Sequence, residues 1–179
     1  MDQKSRTARG PGDIAYETFY GAALGGSIIA LFFLIVDTVG GQPLLTPSTV
    51  GSVLFLGETL DTADTVRLDA VAYATIAHFL AFAVIGYVAT WTVRAIERRG
   101  GSFLASAAAL FVMLHGGFLV ATSVLLPGLV ARLGQGIVLL ANVLAALAMT
   151  GFLRRAHAAP SLEPAEDIDD TADRATYPM

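Results

Sequence analysis

Apolar residues along this chain gather into four long runs, roughly 18–39, 68–93, 102–126 and 133–153. Each is close to the ~20 residues a helix needs to cross a hydrocarbon core of ~30 Å. The pattern predicts an all-α membrane protein, four transmembrane helices in a bundle. The first run is expected to stay in the protein. The leader before it is long and contains Asp13 and Glu17, and the run is longer than the apolar part of a secretory signal.

Between the first two runs lie about thirty residues, long for a connector with no structure of its own. Its stretch "TPSTVGSVLFLG" has a helix start and stop written into it. Thr46 can cap the exposed amides, Pro47 can occupy the first helical position where its missing N–H costs nothing, and Gly57 can end the helix. A short helix over about 47–56 is therefore predicted, roughly 15 Å long at 1.5 Å per residue. Ser48, Thr49 and Ser52 fall on one side of it, and Val50, Val53, Leu54, Phe55 and Leu56 cover most of the rest. Too short to span, it is expected at the outer headgroup boundary or folded over the bundle mouth as a lid. A re-entrant hairpin shielded by protein is the alternative.

Composition sharpens the class: 55% of residues are hydrophobic and 15% charged, where soluble domains carry about a quarter charged residues. Cysteine is absent, which excludes disulfides, thiolate metal sites and cysteine nucleophiles. No phosphate-binding loop, His-Glu-x-x-His, Gly-x-Ser-x-Gly or basic aromatic surface is present. Neither enzyme activity nor nucleic-acid binding is expected.

Charges orient the bundle. Lys4, Arg6 and Arg9 precede the first span, Arg94, Arg98 and Arg99 follow the second, and Arg154 and Arg155 follow the fourth; the other two connections offer Arg67 and Arg132 alone. The excess of positive charge on one side places both termini in the cytoplasm and the chain in a cell inner membrane. The first connection, with Glu58, Asp61 and Asp64, then lies outside. Tyr16, Tyr20, Tyr87 and Trp91 fall near the inner interface, where amphipathic rings settle. Residues 1–17 form a cytoplasmic segment, and 158–179 form an acidic, Pro-interrupted tail expected to be disordered.

In a bilayer, helices associate through close packing of small residues. Gly21 and Gly25 make a Gly-x-x-x-Gly pair, Gly86 and Thr90 repeat the spacing, and the fourth span is smooth at Ala141, Ala145, Ala146 and Ala148. Such faces fit contacts within the chain, a homo-oligomer through Gly21 and Gly25, or a membrane-complex partner.

Polar groups at membrane depth are costly and turn toward a bundle interior. His78, His115 and Asn142 each lie roughly 14 to 16 Å inward of an outer span end, so they share one level near mid-membrane. Helical spacing groups His78 with Thr75, Phe82 and Gly86, and His115 with Phe111 and Thr122. One buried polar cluster of the three is expected. It supports three readings: hydrogen bonds that fix helix register, a b-type haem held by His78 and His115, or a quinone or proton site. Asp37, near the outer end of the first span, reads as a carboxylate at the water boundary or as an ion or substrate contact at the mouth. No metal site is expected.

The run "DTVGGQPLLTPSTVGSVLF", with "YATIAHFLAFAVIG" and "LLANVLAALAM", resembles small bacterial integral membrane proteins of four helices. The resemblance covers about Thr18 to His157 and implies no catalytic residue. The expected role is a structural or accessory component of the membrane. A haem- or quinone-linked redox protein and a small transporter or channel subunit are the alternatives.

Overall fold

The computed structural model describes residues 11–158, with side chains from Ile14 onward. The acidic tail and the first ten residues lie outside that range. Six helices follow one another: α1 (Pro11–Val39), α2 (Leu45–Phe55), α3 (Leu68–Arg98), α4 (Phe103–Leu125), α5 (Leu129–Leu133) and α6 (Gln135–Ala158). Four of them, α1, α3, α4 and α6, are long and apolar enough to cross a membrane. The protein is an all-helical, multi-pass bundle of the class the apolar runs predict.

α1 packs between α3 and α6, α4 packs chiefly on α6, and α3 touches α4 to complete the bundle. The first described residues and the last thus share one end, here the termini end. α2, α5 and the segment 56–67 cover the other, the loop end.

Three of the four spans run further than hydropathy places them, because their ends are charged yet helical. α1 takes in Glu17, α3 continues through Arg94 and Glu97 to Arg98, and α6 includes Arg154 and His157. His157, beyond the fourth apolar run, sits in the final turn of α6. α4 starts where Ser102 accepts from the Ala105 amide at 3.2 Å, the side-chain cap that replaces a missing intrahelical partner. α5 was not foreseen: Gly134, at φ +85°, breaks the run between α5 and α6, a conformation that a residue with a Cβ adopts only under strain.

The glycine faces are used within the chain. A methyl group at Gly25 would overlap the Met149 sulfur of α6 and touch Phe82 of α3, and one at Gly21 would meet Leu153 at 3.3 Å. At Gly86 it would lie 2.6 Å from the Ala22 Cβ and 2.8 Å from the Thr18 carbonyl. This corrects the expectation of an oligomer built on Gly21 and Gly25, since α3 and α6 of the same chain already fill that face. Small residues let these backbones approach, and the core then closes around Phe82, Leu110, Leu114, Met149 and Leu153.

Candidate functional site

At the loop end, α2 begins two residues earlier than its sequence signals indicate, and its start is held from outside itself. Leu44 precedes it in the left-handed region at φ 70°. Asp37 reaches across from α1: its two carboxylate oxygens accept from the Thr46 amide and hydroxyl, both at 2.7 Å. The cap is therefore Asp37, and Thr46, expected to cap, is what it holds. A carboxylate at a helix N-terminus satisfies an unpaired amide and meets the positive end of the helix dipole. Asp37 is buried, so it is a brace at the mouth and not an open contact point.

α2 also turns its polar side inward. Ser48, Thr49 and Ser52 are fully covered. Ser48 Oγ donates to the Thr65 carbonyl at 3.1 Å and accepts from the Arg67 amide at 2.8 Å, while Thr49 Oγ1 donates to the Ala63 carbonyl at 3.0 Å. Gly51 lies against the Ala70 carbonyl so closely that a Cβ there would overlap it. Ser48 and Thr49 face in because they satisfy carbonyls and an amide of the returning segment 59–67, whereas the Ser52 hydroxyl is enclosed without a hydrogen-bond partner. Arg132 secures the same segment by donating to the carbonyls of Leu60 and, at 3.2 Å, Ala63. Arg67, on the surface beside them, is held above its ordinary pKa by hydrogen bonds to Asp69 and Glu58.

Beneath α2 lies a cavity of about 330 Å³. Its wall comes from Phe33 and Leu34 of α1, Thr46, Pro47 and Val50 of α2, Thr75, His78 and Phe79 of α3, and Phe118 and Thr122 of α4. α2 thus roofs a hollow, the lid arrangement expected of it. His78 is its one ionisable wall residue. The imidazole Nε2 lies 3.0 Å from the Gly26 carbonyl of α1. A carbonyl only accepts, so Nε2 carries the proton. Phe79 and Phe82 flank the ring, with centroids 5.3 and 4.8 Å away.

The three polar residues placed on one level do not form one cluster among the described residues. His78 turns to α1. Asn142 is buried and donates to the Val138 carbonyl of its own helix at 2.9 Å. His115 stacks on Phe111 with centroids 5.2 Å apart, and its Nδ1 is enclosed without a hydrogen-bond partner. Only His78 lines the cavity. Two axial haem ligands must face each other across one macrocycle, and His78 and His115 share no cavity, so the pair does not fit that group. Asp37, His78 and Asn142 likewise each bond to backbone or to Thr46 and do not line one path.

At the termini end, Arg94 and Arg154, read from the sequence only as orientation signals, join Glu17, Glu97 and His157 in a network across three helices. Arg94 of α3 donates to Glu17 of α1 through Nη2 at 2.6 Å and Nε at 3.1 Å. His157 of α6 places Nε2 3.0 Å from the same Glu17 oxygen and Nδ1 against Glu97 of α3. Arg154 lies 3.4 Å from Glu97 and donates to the Gly101 carbonyl and the Ser106 hydroxyl. The side chains of Glu17 and His157 keep only 3% and 8% of their exposure. A signal was present in the sequence: Arg94 and Glu97, like Arg154 and His157, are three residues apart and so share a helix face.

No family model matches the chain, and neither a curated protein nor a solved structure matches it.

Proposed function

We propose that this protein is a structural or accessory component of a bacterial inner membrane, without enzyme activity, and with both termini in the cytoplasm. The observation that supports this reading is the network of Glu17, Arg94, Glu97, Arg154 and His157, which spends its charges on tying α1, α3 and α6 together. Charged groups in moving carriers stand in a water-filled path; these face one another. Lysine and arginine flanking the termini end support the orientation. Lipid is the surrounding medium, and a membrane-protein partner would dock on the bundle's outer faces.

Purified protein from haem-replete cells, reconstituted into vesicles, tests the reading. The expected result is no Soret absorption and no ion or solute flux above that of empty vesicles. A Soret band lost on replacing His78 would overturn it in favour of a redox protein, and a flux lost on the same change would make it a transporter. For orientation, a periplasmic reporter enzyme fused after Asp64 is expected to be active; activity of a cytoplasmic reporter there reverses the topology.

A further inference from the structure

The cavity beneath α2 has an unusual hydrogen-bonding character, which follows from tracing each donor on its wall. The Thr46 hydroxyl donates to Asp37 at 2.7 Å, the Thr75 hydroxyl to the Val71 carbonyl at 2.7 Å, and the Thr122 hydroxyl to the Phe118 carbonyl at 2.8 Å. His78 Nε2–H is engaged with Gly26. From Leu45 onward the start of α2 offers no free amide either. Leu45 N donates to the Gln42 carbonyl, Thr46 N to Asp37 and Ser48 N to the Leu44 carbonyl, and Pro47 has no N–H. Every side-chain donor on the wall is therefore spent. What remains are lone pairs: on the threonine oxygens, and on Nδ1 of His78, a wall residue bonded through its Nε2.

The rest of the wall is apolar and rich in aromatic faces, with Phe33, Phe79 and Phe118 around the hollow. Two wall residues, Leu31 at 57% and Phe79 at 39% exposure, also belong to the outer apolar surface. The cavity wall thus continues into the outer apolar surface of α1 and α3. An entrant from the bilayer meets this apolar surface first, and to use the free lone pairs its head must donate a hydrogen bond.

We propose that this cavity binds a membrane-soluble phenol, a single aromatic ring bearing a hydroxyl and an apolar tail, with the hydroxyl donating to His78 Nδ1 and the ring lying among the phenylalanines. Quinols belong to this class. The matching quinones, which carry only carbonyl acceptors, find no free side-chain donor on the wall, and carboxylate-headed lipids find neither a free side-chain donor nor a cation. The volume of about 330 Å³ is at the lower end of small-molecule sites and admits one ring with the first part of its tail. Flat aromatic walls favour an aromatic ring over an aliphatic head, through edge-to-face and offset contacts. The proposal is independent of the accessory role, which holds with or without an occupant.

Binding of 4-nonylphenol, its methyl ether 4-nonylanisole, and dodecanol to the full chain in lipid nanodiscs, read by native mass spectrometry, tests it. 4-Nonylphenol is expected to bind about tenfold more tightly than the ether, the worth of one hydrogen bond. It should also exceed dodecanol. His78→Leu removes the preference over the ether and leaves the weaker apolar binding. Thr75→Val keeps the preference, and its normal folding shows that the assay reads the site. Val50→Trp fills the cavity and abolishes binding. Equal binding of phenol and ether, or a preference that survives His78→Leu, overturns the proposal; dodecanol equal to 4-nonylphenol overturns the choice of an aromatic head. Should His78→Leu fail to fold, the phenol-to-ether ratio in the native chain and the Val50→Trp result decide alone.

Discussion

Asp37 and Thr46 are joined by two hydrogen bonds of 2.7 Å, one to the amide and one to the hydroxyl. This one pair couples the end of the first span to the start of the roof helix. Replacing Asp37 by Ala removes the cap and is expected to cost about 1–2 kcal/mol. Amide exchange within Leu45–Phe55 should accelerate while α4 and α6 stay protected. Uniform acceleration through the bundle would mean that α2 is not a separately opening unit.

The Glu17–Arg94 pair at the termini end should behave as a buried ion pair. Losing one partner strands the other, so Glu17→Ala or Arg94→Ala is expected to destabilise the bundle by about 3–5 kcal/mol. The double variant should lose far less than the sum. Unfolding in a denaturing detergent titration measures this; additive losses would show that the two residues do not depend on each other.

Gly25 is expected to tolerate no side chain while Met149 stays. Gly25→Val should cost about 1–3 kcal/mol through overpacking, and Gly25→Ala should be largely repaired by Met149→Ala. Gly117, which has open space around it, provides the control: Gly117→Ala should leave thermal stability unchanged or slightly higher. A loss at Gly117→Ala equal to that at Gly25→Ala would show that the cost at Gly25 is not specific to packing against Met149, since helix propensity alone favours alanine at both.

Arg132 donates to two carbonyls of the segment that returns to α3. Arg132→Ala is expected to expose residues 59–63 to limited proteolysis at an unchanged global melting temperature. Unchanged cleavage would show that Ser48 and Thr49 suffice to hold the segment.

The four spans were legible because ~20 apolar residues in sequence admit few other uses. Their ends were less so, since a hydropathy reading stops at Glu17 or Arg94, whereas the helix continues wherever a charge finds a partner. The short helix was found, but its cap lies on Asp37, nine residues upstream of Thr46, and capping by a distant side chain leaves no local pattern. The shared depth of His78, His115 and Asn142 could be counted along each helix. Which way they turn could not, because His78 is claimed by a backbone carbonyl at Gly26 that becomes reachable only where α1 lacks a side chain.

The arrangement of Glu17 has a consequence for how the molecule is made. Its helix leaves the ribosome first, Arg94 emerges only with the second span, and His157 comes with the last turn of the fourth. Until Arg94 arrives, a carboxylate destined for burial has to wait near the membrane surface, where its charge costs little. Glu17 is thus paired in two stages, by Arg94 of the second span and, once the fourth span is complete, by His157 as well.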